Sequence, residues 1–294
     1  LTMKYSECIK CSMDVLLQLN EYLPIESDED DVASIQRDTE GLLQGMEDGD
    51  LLNYRCMRNE EKMFAMKVLA KVCEPLIVTQ AGTYPIVVMK MVELSLKFGF
   101  CSFTSFAFVN YGCFIASTGS IREGFRYSKI GLALMTRFGN KSAGEVFAYS
   151  TQLKAYVEPV QSSIEFHKVG ERASMISGNP TYSIMNRLLY DSCGFWVGKR
   201  LMGVLQSLEQ TKSLAQQHKQ FTVLVQLLPL VETVVLMIGG SSGQRMSSQT
   251  SGMSTDSSVV TDELQQSLRK ESEFQTRTYL FNKMFTSFML RDLQ

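Results

Sequence analysis

"FVNYGCFIASTGSIREGFRYSKIGLAL", Phe108–Leu134, reads as a helix, a turn at Thr118-Gly119 and a second helix. A later stretch, "SSIEFHKVGERA", Ser162–Ala173, repeats part of it. "YSKIG" (Tyr127–Gly131) aligns with "FHKVG" (Phe166–Gly170): aromatic, variable, Lys, β-branched and Gly recur in order. The first helices echo one another too, with Tyr111-Gly112 followed by Tyr149-Ser150 and Tyr190-Asp191. A pair of helices recurring at about forty residues is the sequence signature of a helical solenoid. Each pair buries its apolar face only by stacking on its neighbours.

The tetratricopeptide pattern asks for a bulky residue, then a bulky–small pair, then another bulky residue on the first helix. Phe108, Tyr111-Gly112 and Ile115 supply it. The second helix needs small residues where the helices touch, and Gly124 and Gly131 meet that need. Glycine in a helix costs ~0.5–1 kcal/mol relative to alanine, so a repeated glycine implies that close approach returns more. Two departures stand out. The period exceeds the usual repeat of about 34 residues, and Ser128 stands where an aromatic is usual.

The remaining chain fits an all-α fold. Helical segments are predicted over Tyr5–Asn20, Glu60–Val78 (ending near Pro75), Pro85–Gly99, Phe103–Thr118, Ile121–Phe138, Ser142–Val157, Val160–Ile176, Thr181–Val197, Leu201–Lys219 and Phe221–Ile238. In "ESDEDDVASIQRDTEGLL", Ser27 or Asp28 is placed to cap a further helix whose first turn is acidic. No segment sustains a strand alternation between turn signals. The domain reading is a solenoid over 1–238, a Gly/Ser-rich linker or insertion over 239–258, and C-terminal helices over 259–294 that pack on the solenoid.

Composition narrows the function. Hydrophobic residues make up 45% of the 294, enough for a substantial core. A net charge of -2 gives no basic field for nucleic acid, which needs clustered Lys and Arg. Seven cysteines scattered through helices do not form a disulfide framework and suit a reducing, cytoplasmic setting. The most apolar run, Phe221–Ile238, contains Gln226, Pro229 and Glu232 and reads as too interrupted for membrane insertion. The first residue is Leu1, not Met, which suits a piece of a longer protein.

Three stretches sharpen the reading: "MVELSLKFG" (91–99), "SFAFVNYGCFIASTGSIREGFRYSKIGLALMTRFGNK" (105–141) and "VGKRLMGVLQ" (197–206). Together they resemble the helical region of large multidomain signalling proteins. In that family a serine/threonine kinase-like domain and a STAND/AAA-type ATPase lie upstream, with sensor modules and often a histidine kinase downstream. The resemblance spans roughly Glu60 to Ile238 and rests on packing residues. It implies a place within a signalling protein, not an activity in this chain. Relative to that family, Gly239–Ser258 looks like an insertion.

Motifs for chemistry are sparse. "GGSSGQR" at Gly239 lacks the Gly-Lys-Ser/Thr that holds phosphate and Mg²⁺, and the kinase catalytic loop and DFG motif are missing. Asp28–Asp31 could chelate Mg²⁺ only with a facing acidic cluster. Glu47-Asp48-Gly49-Asp50, in an expected loop, is a poor one, so the run reads as a solvated helix start. Cys8 and Cys11 form a lone CxxC without the other two ligands of a zinc site, and read as core residues. His167 and His218 have no nucleophile at motif spacing; His167 sits at a packing position of the repeat. Arg245 before Ser247 and Ser248 is a weak kinase-substrate match.

The expected function is therefore a non-catalytic helical-repeat scaffold or relay, without cofactor or metal. It would bind protein partners or neighbouring domains of the same polypeptide. The alternatives are an independent peptide-binding adaptor of the tetratricopeptide class, and a helical metal-dependent enzyme using Asp28–Asp31. First helices usually line the concave face of such an array. With the Tyr–small pairs as anchors, Phe106, Val109, Phe147, Lys154, Met185 and Ser192 are expected to form the partner groove, with Lys154 exposed.

Overall fold

The computed structural model describes residues 2–24, 27–79, 82–138 and 143–239, together with 281, 284, 285 and 289. Twelve α-helices account for most of them. They are α1 (Thr2–Gln18), α2 (Glu29–Leu43), α3 (Asp48–Leu52), α4 (Glu60–Val78), α5 (Tyr84–Phe98), α6 (Thr104–Ser117), α7 (Ile121–Phe138), α8 (Ala143–Lys154), α9 (Ile164–Ile176), α10 (Pro180–Trp196), α11 (Leu201–Gln217) and α12 (Phe221–Gly239). A single 3-10 turn, Val160–Ser163, precedes α9. The chain is all-α. Among the described residues the sole β pairing is an isolated bridge between Cys56 and Phe100. The expected linker lies outside the described residues beyond Gly239, and of the expected C-terminal helices only the four single residues named above are described.

Two compact units divide the chain: Leu1–Pro159 with Arg172–Gly178, and Val160–Glu171 with Asn179–Gln294. The first unit is built around α6 and α7. The turn between them takes Gly119 at φ 103°, a left-handed conformation that favours glycine. Beyond the turn, glycines face each other. A Cβ on Gly112 would collide with the Gly124 carbonyl oxygen, and one on Gly124 with the Gly112 carbonyl oxygen. A Cβ on Gly131 would lie 2.5 Å from Val109 Cγ2 and 2.7 Å from the Ser105 carbonyl oxygen. The two backbones thus meet at a distance that no side chain fits. Around this contact Phe108 and Tyr111 are fully buried, and the Tyr111 and Tyr127 rings stand edge-on, centroids 5.0 Å apart.

α5 joins this core through Val87, Val88, Met89, Met91 and Val92, all fully buried. Gly99 ends it at φ 107°. That residue also lets the 55–57 segment approach, because a Cβ there would meet the Cys56 carbonyl carbon and Met57 N, each at 2.7 Å. Met57 N donates to Phe100 O and Phe100 N to Arg55 O. The segment 46–57 is clasped from two sides. Arg126 and Arg137 of α7 donate to Met46 O and Leu52 O. Tyr54 Oη and Arg55 Nη2 donate to Leu96 O and Lys97 O at the end of α5. A buried carboxylate secures the chain after α1: Glu21 pairs with Lys62 at 2.8 Å and Lys90 at 2.9 Å.

In the second unit α10, α11 and α12 share one core, with Leu188 and Phe195 against Val204, Leu208, Val223, Leu227 and Val234. Trp196, at the end of α10, meets the rings of Phe281 and Phe285 at 6.0 and 5.0 Å.

Several expectations are corrected. α4 spans Glu60–Val78 and so runs past Pro75, where its end was expected, while α12, Phe221–Gly239, agrees with the expected helix Phe221–Ile238 and carries Gln226, Pro229 and Glu232 inside it. A helical proline removes one ladder bond. In both helices the proline carbonyl accepts a threonine hydroxyl one turn on, Thr79 Oγ1 at 2.8 Å and Thr233 Oγ1 at 2.9 Å. α12 is consequently the one helix among the described residues long and apolar enough to cross a membrane; half of its apolar window is buried within the protein. Asp48–Leu52 forms a helix rather than a loop, Glu47 N donating to Asp50 Oδ2 at 3.0 Å. Cys8 and Cys11 are exposed, not core.

Gly131→Leu should lower stability by about 1–3 kcal/mol or more, because overpacking here meets a backbone carbonyl. Gly203→Ala, at a helical position with nothing within 4 Å, should lose none. Urea unfolding of the two variants checks the contrast.

Candidate functional site

Of the six expected groove residues, Phe106, Val109 and Phe147 are buried, and Lys154, Met185 and Ser192 are partly exposed. Val109 is fully buried beneath Gly131. Phe106 is buried, its ring edge-on to Tyr149 of α8 with centroids 6.4 Å apart. Phe147 is buried as well. Met185 packs on the core of the second unit. Ser192 is half-buried, its hydroxyl donating to Leu188 O one turn back. The Lys154 side chain is only 13% exposed and stands 3.5 Å from Glu158. The correction has a simple cause. The Tyr–small anchors sit at helix contacts, so positions taken from them face neighbouring helices rather than solvent.

The acidic run has a local use. Asp28 Oδ1 accepts from Asp31 N at 2.8 Å, and Asp31 Oδ2 accepts from Asp28 N at 3.4 Å, a reciprocal cap on α2. Asp30 and Glu29 complete an acidic first turn that the helix dipole favours. A 660 Å³ depression lined by Met46, Gly49, Asp50, Asn53, Tyr54 and Arg55 lies beside α3. Its Tyr54 hydroxyl and Arg55 guanidinium already serve the α5 carbonyls.

A dense polar constellation lies in the second unit. Asp191 of α10 is 2% exposed and accepts from Ser207 Oγ at 2.5 Å and Thr211 Oγ1 at 2.7 Å, both on α11. Arg187, one turn before Asp191, donates to Thr211 Oγ1, Glu171 Oε1 and Gln210 Oε1 at 3.2, 3.3 and 2.9 Å. Burial pushes the Asp191 carboxyl above its usual range, while the Ser207 and Thr211 hydroxyls and the Arg187 charge oppose the rise. The carboxylate touches Ser207 directly. A serine nucleophile needs an imidazole between the two, and His167 contacts Asn186 instead, Nδ1 to Oδ1 at 3.4 Å. The arrangement locks α10 to α11 through charge-assisted hydrogen bonds. Sequence reading missed it, although one signal was present: Tyr190-Asp191 echoes Tyr111-Gly112, which sets Asp191 against Gly112.

Neither a family model, nor a curated protein, nor a solved structure matches the chain.

Lys154→Glu should cost about 0.5–3 kcal/mol, since it sets two carboxylates together at a largely buried place. An unchanged thermal melt would show that Lys154 is a surface cation after all. Burial pushes the His167 imidazole down to about 4, opposed by its Asn186 contact. The folded chain therefore holds it neutral, while the unfolded chain takes a proton as pH falls below the ordinary value of 6.5. Its linked contribution destabilises progressively from pH 6.5 down to about 4 and is constant below that. His167→Gln should flatten the pH dependence of urea unfolding within that window.

Proposed function

We propose that the chain is a tetratricopeptide-like helical-repeat scaffold that holds or relays between protein partners or neighbouring domains of a multidomain signalling ATPase or kinase. The observation that carries this reading is the glycine-lined contact of α6 and α7. Gly112, Gly124 and Gly131 occupy the small positions of the repeat pattern, and each meets backbone or side-chain atoms of the other helix. The helix register supports it further. α6, α8, α10 and α12 begin at Thr104, Ala143, Pro180 and Phe221, a period of about forty residues. An added Cβ on Gly112 would stand 3.0 Å from Ser128 N, while Asp191 bonds Ser207 at the same sequence separation. The two helix pairs thus use one contact position, filled by a glycine in one and by a hydrogen-bonded carboxylate in the other. Residues with familiar chemistry are committed to packing and capping, which suits a function carried by surfaces.

The test expresses the chain and the segments flanking it in the parent polypeptide as separate proteins. They should associate saturably in trans, and the isolated chain should show no saturable ATP binding by calorimetry. Micromolar ATP binding, or failure to associate with either flanking segment, overturns the reading.

A further inference from the structure

Trp196 is the sole tryptophan of the chain and closes α10. Its neighbour Phe195 belongs to the core of the second unit, while Trp196 itself is 45% exposed. Two rings from far along the chain sit on this pair. Phe285 stands edge-on to both, its centroid 6.0 Å from Phe195 and 5.0 Å from Trp196, and Phe281 lies 6.0 Å from Trp196. Phe281 and Phe285 are both helical and four residues apart, so they share one helix face. That spacing is the one by which an amphipathic helix anchors in an apolar groove. The anchor is small: Phe281 stays 49% exposed and Met284 64% exposed. Residues 240–280 join α12 to Phe281, so the pair reaches its seat as a tethered ligand does.

We infer that Phe195 and Trp196 form a helix-docking seat, that Phe281 and Phe285 occupy it as an exchangeable intramolecular ligand, and that the seat serves a partner helix carrying two aromatic rings four residues apart. This gives the scaffold a partner surface and rests on the scaffold reading for the partner alone; the contact within the chain stands without it. Tethering raises the local concentration of the chain's own segment without adding a contact. A partner helix therefore gains the seat only where it binds more tightly or where the segment is drawn away. Aromatic rings suit such exchange, because each supplies a large contact area at low entropic cost.

The experiment reads Trp196 fluorescence in the full chain. The double substitution Phe281→Ala, Phe285→Ala should shift the emission to longer wavelength and raise its quenching by acrylamide, while helicity and thermal melting match the parent. A synthetic peptide of residues 277–294, which contains no tryptophan, should restore the parent emission saturably when added to that variant. The same peptide with both alanines should not. The parent chain should take the peptide about 100-fold more weakly than the variant does, because its own segment competes. Unchanged emission in the variant, no rescue by the peptide, equal affinity for parent and variant, or a lowered melting temperature that makes the two rings fixed core each overturns the inference. A parent dimer in sedimentation that the double substitution dissociates puts a second copy's rings in the seat and overturns it as well. These readouts do not involve the flanking segments, so their failure is distinct from failure of the scaffold reading.

Discussion

The contact between α6 and α7 is the constraint on which the first unit depends. Where Gly112 and Gly124 face each other, the helices meet through backbone atoms and the Ala116 methyl. Such closeness maximises dispersion contacts along the seam and leaves no room for adjustment. It also fixes what the flanking aromatics can do: Phe108, Tyr111 and Tyr127 stack around the seam because the seam is thin. α7 then presents Arg126 and Arg137 at fixed positions to the 46–57 segment.

Much of this was legible in the chain. The α7 boundaries follow from the periodicity between Ser120 and Gly139, and Gly99 marks the end of α5 as its sequence context implies. The glycines of the seam were recognisable because a repeat pattern assigns them a role. Other features were hidden for physical reasons. Pro75 looks like a helix end, yet burial of the surrounding apolar residues outweighs one lost backbone bond and α4 continues past it. The burial of Phe106, Val109 and Phe147 was hidden for a related reason. A Tyr–small pair gives the register of a helix but not which of its faces a neighbour covers, and Phe106 and Val109 turn out to be covered.

Polarity inside the second unit follows a different logic from that of the seam. A buried carboxylate is expensive unless hydrogen-bonded, and Asp191 meets two hydroxyls with a guanidinium close by. Such a network demands one geometry from three helical segments at once, whereas apolar packing tolerates several. Glycine closeness and buried hydrogen bonding are thus two solutions to one problem, the fixing of one helix against the next.

The clasp on residues 46–57 has a consequence for how this protein can change over time. Four of its bonds end on main-chain carbonyls: Met46 O, Leu52 O, Leu96 O and Lys97 O. A carbonyl is supplied by any amino acid, so these bonds themselves place no demand on the side chains of the accepting positions, although Leu96 is held by its burial in the core. The donors Arg126, Arg137, Tyr54 and Arg55 have no such freedom, since each reaches its carbonyl only with its own length and head group. Mutational tolerance is therefore lopsided across a single set of bonds, permissive on the side that receives and strict on the side that gives.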